Sequence, residues 1–121
     1  MLAVGERVAP SSYSAVLRAA NGFRGGVAST REELCGALAA GIMLIGLLYG
    51  RDDVSQDDSY GKAITARWLE EFSEQFGSTR CRPIYERMHS PEGPGSCALV
   101  ARETSLLLLR LLPGADQAGS R

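Results

Sequence analysis

Three cysteines, Cys35, Cys81 and Cys97, are the residues of this 121-residue chain with the widest chemistry open to them. A thiolate can attack a disulfide, hold a soft metal or cycle between oxidation states. No two of them form a CxxC pair. That sets aside the thioredoxin-type motif, the paired-knuckle zinc site and covalent haem attachment, all of which need two sulfurs on one short turn. A joint site must therefore be assembled by folding. Ser29-Thr30-Arg31-Glu32 reads as a capping box that opens a helix at Thr30 and puts Cys35 in its second turn. Cys97 follows Ser96 at the start of another helix. In both places the positive end of the helix dipole favours a thiolate. The competing reading makes the three thiols small core fillers packed against Ala and Leu.

Other residue types offer less. His89, the only histidine, lies beside Ser90-Pro91 and reads as a surface residue rather than a ligand or base. The acidic cluster Asp52, Asp53, Asp57 and Asp58 lacks the spacing of a calcium loop and reads as a solvated turn that also caps a helix. Gly22, Gly25 and Gly26 follow no strand, so they do not form a dinucleotide fingerprint. Gly36, Ala37, Ala40 and Gly41 form a small-residue face whose simplest use is close helix packing within the chain, with a homodimer seam as the alternative.

The elements that must position the cysteines are helical. Ser12 to Phe23 makes a short helix with Tyr13, Val16, Leu17 and Ala20 on one face, broken by the glycines that follow. The capped helix runs from Thr30 to about Tyr49, with Gly50 at its end and a polar loop from Arg51 to Ser59. A second strong helix carries Ile64, Trp68, Leu69, Phe72 and Phe76 as a core stripe up to Gly77. Ser78 to Gly95, with three prolines, reads mainly as loop with one helical turn around Ile84 to Met88. Ser96 caps a last helix through Cys97, Val100, Ala101 and the leucines 106 to 109, stopped by Pro113-Gly114, with a frayed tail from Ala115. No alternating strand pattern occurs. The expectation is an all-α fold, a bundle of about four helices with a Pro/Gly-rich loop before the last, in one domain over residues 1–121.

Composition narrows the function classes. Hydrophobic residues at 45% and charged residues at 22% are near the globular average, which excludes a disordered or fibrous chain. A formal net charge of −1 without a Lys/Arg block argues against a nucleic-acid partner. The apolar stretch Leu34 to Tyr49 is shorter than the roughly 20 residues of a membrane span and reads as a buried core helix. Met1 to Pro10 shows no export signal, so the expected compartment is the reducing cytoplasm, where an odd number of cysteines stays free, metal-bound or redox-cycling.

Ala20-Asn21-Gly22-Phe23-Arg24-Gly25-Gly26, then Cys35-Gly36-Ala37 leading into Met43 to Gly50, resemble the redox-active cysteine family with the C_GCAxxG_C_C pattern. Phe72, Phe76-Gly77 and Cys81 resemble its third-cysteine segment, and Cys97 with Val100 its fourth. Two departures stand out. The family places glycine where this chain has Ala40, followed by Gly41, a swap that should keep the face small. The family's first cysteine would lie ahead of Leu2-Ala3-Val4-Gly5-Glu6 and is absent, through either a start placed past it or a genuine loss.

The resemblance implies thiol–disulfide chemistry or electron transfer, with a redox partner protein. Cys35 would be the nucleophilic or ligating thiol, and Cys81 and Cys97 its resolving partners or co-ligands. An iron–sulfur or other metal-binding electron-transfer module using the same three sulfurs is the first alternative. A cluster usually takes four thiolates, so three would need an outside ligand. A non-catalytic helical interaction domain with a decayed site is the second alternative.

Overall fold

The computed structural model describes residues 2–112, and among them the chain is all-α. Six α-helices occur rather than about four: α1 (Leu2–Val8), α2 (Tyr13–Ala20), α3 (Gly36–Tyr49), α4 (Ser59–Phe76), α5 (Cys81–Met88) and α6 (Ala98–Leu111). A single 3-10 turn, Asn21–Phe23, extends α2. The stop at Pro113-Gly114 and the tail from Ala115 lie outside the described residues. No described helix is long and apolar enough to cross a membrane.

α3 is the axis of the fold. It buries Leu38, Ala39, Gly41, Leu44 and Ile45 and packs against α2, α4 and α6. An apolar helix in which the polar face is missing is stable only when neighbours enclose it. α4 provides the largest cover: Ile64, Trp68, Phe72 and Phe76 are buried along one stripe, each such side chain contributing about 1.5–3 kcal/mol, whereas Leu69, expected in the same stripe, is 43% exposed because it falls off that face. Their rings run as a ladder, Trp68 to Phe72 at 5.8 Å and Phe72 to Phe76 at 4.8 Å between centroids. Gly41 on α3 lets the Trp68 indole lie directly on the helix, and the indole Nε1–H donates to the Leu38 carbonyl at 3.0 Å. The small-residue face thus serves helix packing at Gly41. Ala40 faces a cavity instead, so the Ala-Gly swap divides its two residues between different faces of α3.

α4 ends as expected at Gly77, whose φ of +73 takes the left-handed cap that other residues resist. Its start follows Asp58, with the Asp57 carboxylate accepting the Ser59 amide at 3.0 Å. The acidic loop therefore spends its carboxylates internally: Asp53 on Ser55, Asp57 on Ser59, and Asp58 with Arg51 and Lys62.

Two further sequence expectations fail, and one helix had no sequence expectation at all. The capping box does not form. Ser29 has φ +61, Glu32 instead pairs with Arg82, and α3 begins at Gly36 with Cys35 at its N-cap. A distant arginine outcompetes the local amide for that carboxylate. The segment from Ser78 is not mainly loop, because α5 makes two full turns. Pro83 sits in its first turn, where an amide hydrogen would lack an intrahelical partner anyway. α1 carries no strong start signal, yet it buries Val4 and Val8 beside α2 and α6.

Candidate functional site

Each cysteine stands at the start of a helix: Cys35 at the N-cap of α3, Cys81 as the first residue of α5 and Cys97 at the N-cap of α6. A short antiparallel clasp brings the first two together. Leu34 bridges Arg80, the Cys35 amide donates to the Thr79 carbonyl at 2.9 Å, and the Cys81 amide donates to the Glu33 carbonyl at 2.8 Å. In such pairing Cys35 and Cys81 are diagonal neighbours across the bridge. Arg80 adds side-chain bonds to the Glu32 carbonyl, and Arg82 pairs with the Glu32 carboxylate. Both reinforce the clasp from outside.

Behind the clasp lies an unusual turn. Gly25, Gly26, Val27, Ala28, Ser29 and Arg31 all have φ between +53 and +71. Left-handed backbone at a non-glycine residue costs roughly 1–2 kcal/mol, so Val27, Ala28, Ser29 and Arg31 together hold appreciable strain. Bonds across the turn oppose it, including Arg31 N–H to the Gly25 carbonyl at 2.8 Å and the Thr30 hydroxyl to the Gly26 carbonyl at 2.7 Å. At Gly26 glycine is required twice over. Its φ is +71, and a Cβ there would lie 2.5 Å from the Cys81 Cβ.

The clasp, this turn and the ends of α2, α5 and α6 enclose a cavity of about 590 Å³. Cys35, Cys81 and Cys97 all line it, so folding does assemble the three thiols that sequence singled out. All are free. Cys35 and Cys81 are buried, whereas Cys97 is exposed. Burial pushes the Cys35 thiol above the usual thiol range, against backbone hydrogen bonds from Leu38 and Ala37 that favour the thiolate. The helix N-terminus thus acts on Cys35 as expected, but desolvation outweighs it. Cys97 is also raised, by partial burial first and then by the neighbouring charges of Cys81 and Cys35, while Arg31 draws it the other way. Cys81 bears electrostatically on both other thiols.

α5 contributes further lining residues beside Cys81, of which sequence reasoning missed Tyr85. Cys81, Ile84, Tyr85 and His89 follow helical spacing along the cavity wall. The Arg31 guanidinium carbon sits 3.9 Å from the Tyr85 ring centroid, and the His89 ring stacks on Tyr85 at 3.9 Å. His89 is exposed, as expected. Its Nδ1 lies 2.9 Å from the Tyr85 carbonyl, within hydrogen-bond distance. The spacing 81, 85, 89 was the available signal, hidden by reading this segment as loop. Arg24 and Arg31, also in the lining, come from the irregular turn and left no periodic trace.

An iron–sulfur cluster requires thiolates converging on one point. Among the described residues no group of three or more His, Cys, Asp or Glu side chains is placed to hold a metal ion. The three thiols share a cavity without forming such a group, so the described residues do not fit a cluster held by this chain alone.

No curated protein and no solved structure matches the chain. A family model described as "Putative redox-active protein (C_GCAxxG_C_C)" matches residues 1–111, and the chain belongs to that family.

Proposed function

We propose that this protein performs thiol–disulfide exchange at the cavity, with Cys97 making the first attack, Cys81 resolving, and Cys35 available as a second resolving thiol. The observation that carries the reading is the shared cavity, which three free thiols line. Sequence reasoning gave the attack to Cys35. Exposure favours Cys97 for it, because an incoming disulfide must reach the sulfur in line.

The exchange balances as follows. The Cys97 thiolate attacks one sulfur of a substrate disulfide, the substrate S–S bond breaks, and one substrate thiolate leaves. The Cys81 thiolate then attacks the Cys97 sulfur of the mixed disulfide and expels the second. Two protein thiols are oxidised to one disulfide, the substrate disulfide is reduced to two thiols, and the two protons given up by the protein end on them.

The experiment is titration of the reduced protein with one equivalent of an aromatic disulfide reagent. The wild type should release two reagent thiolates and retain no adduct, whereas the variant carrying both Cys81→Ser and Cys35→Ser should release one and keep the mixed disulfide. A wild type that releases one thiolate and keeps the adduct refutes exchange at this site.

A further inference from the structure

We propose that the cysteine cavity binds a small disulfide carrying carboxylate groups, held by Arg24 and Arg31. This deepens the thiol–disulfide reading and rests on it. Among the described residues no acidic side chain lines the cavity, whereas Arg24, Arg31 and His89 all do. With the thiols protonated, the wall is therefore cationic without internal compensation, which favours an anionic occupant. Arg51, Arg67 and Arg82 pair with Asp58, Glu71 and Glu32, whereas Arg24 and Arg31, like Arg80 and Arg87, have no carboxylate partner among the described residues.

Arg31 is held ready. Its guanidinium carbon lies 3.9 Å from the centroid of Tyr85, which is itself stacked on His89, and a guanidinium held over a ring can still donate N–H bonds to a carboxylate. The strained turn accounts for the placement: Arg24 and Arg31 stand at its two ends, and strain kept at a cavity wall is what a binding site retains. Arg31 is also near enough to Cys97 for its charge to favour the thiolate there. A carboxylate anchored on Arg31 would thus bring an attached disulfide towards the exposed sulfur. Leu17, Ile84 and Val100 offer apolar surface for the carbon skeleton, and about 590 Å³ lies within the range of small-molecule sites, roughly 300–1,000 Å³.

The test is calorimetric titration of the full chain with S-methylglutathione, which has two carboxylates and a thioether that cannot exchange. Binding should weaken at least about ten-fold in Arg31→Gln and in Arg24→Gln, and in the wild type it should weaken with added salt. Arg110→Gln, near the end of α6 and outside the lining, should leave it unchanged. If a Gln variant loses its helical signal, the salt dependence of the wild type decides. Absent binding, salt-independent binding, or equal binding by folded Gln variants overturns the proposal. Because the probe cannot react, the two readings fail separately. A protein that oxidises with an uncharged disulfide but ignores the probe loses only the anionic site. One that binds the probe but never forms an internal disulfide loses the exchange reading.

Discussion

Replacing Gly26 with alanine should damage stability and the cysteine site together. Alanine must adopt the φ of +71 found there, costing about 1–2 kcal/mol. Its methyl group would also lie 2.5 Å from the Cys81 Cβ and 2.9 Å from the Arg31 Cα. Both neighbours are fixed, Cys81 by the hydrogen bond its amide donates to the Glu33 carbonyl and Arg31 by the one its amide donates to the Gly25 carbonyl, so the overlap cannot be relieved by rotating a flexible side chain. Overpacking of this kind costs a further 1–3 kcal/mol or so, giving roughly 2–5 kcal/mol in all. That is a large part of the total stability of a domain this size. Gly22→Ala is the control, since a Cβ at Gly22 meets nothing within 4 Å and its φ is not in the left-handed range. Urea denaturation followed by far-UV circular dichroism measures both, and alkylation of Cys81 in the folded protein should quicken only in Gly26→Ala. A Gly26→Ala midpoint equal to that of Gly22→Ala, with unchanged Cys81 alkylation, would refute the reasoning.

Gly41→Ala should be strongly destabilising, because its Cβ would sit 2.5 Å from the Trp68 Cε2 of a fully buried indole. Gly46→Ala, with nothing within 4 Å, should gain about 0.5–1 kcal/mol; paired denaturation curves give the two signs. Trp68→Phe removes the indole donor to the Leu38 carbonyl, which keeps its partner within α3, and the lost hydrogen bond should cost about 0.5–1.5 kcal/mol in the same assay. Stability should also fall at high pH. Cys35 and Cys97 are raised in the folded state, so their neutral forms are favoured by folding. That stabilisation is complete below the ordinary thiol pKa and is lost as pH climbs through the raised values. Denaturation midpoints measured from about pH 8 to about pH 10 should decline, and the decline should flatten in Cys35→Ala.

Sequence patterning disclosed the elements whose stabilisation is local and periodic. The Trp68 to Phe76 stripe, the stop at Gly77 and the core character of Leu38 to Ile45 all follow from spacing alone. It misjudged the places where a partner far along the chain decides the outcome. Glu32 suits a capping box, yet Arg82 holds its carboxylate. Cys35 therefore caps α3 rather than lying within it, clasped to a segment that reads as loop because of Pro83. The three thiols were visible by residue type, but the clasp joining two of them depends on a single bridge between Leu34 and Arg80. Arg24 and Arg31 were hidden for a further reason: left-handed turns at Val27, Ala28 and Ser29 contradict local preference, so no propensity argument finds them.

Peptide mapping by mass spectrometry, after brief oxidation of the reduced protein with a limiting small disulfide and quenching in acid, tests the central claim most directly. Thiol–disulfide exchange at the shared cavity predicts an intramolecular disulfide containing Cys81, joined to Cys97 or to Cys35, with the remaining cysteine free. Mixed disulfides distributed over all three cysteines, with no internal bond, would contradict it.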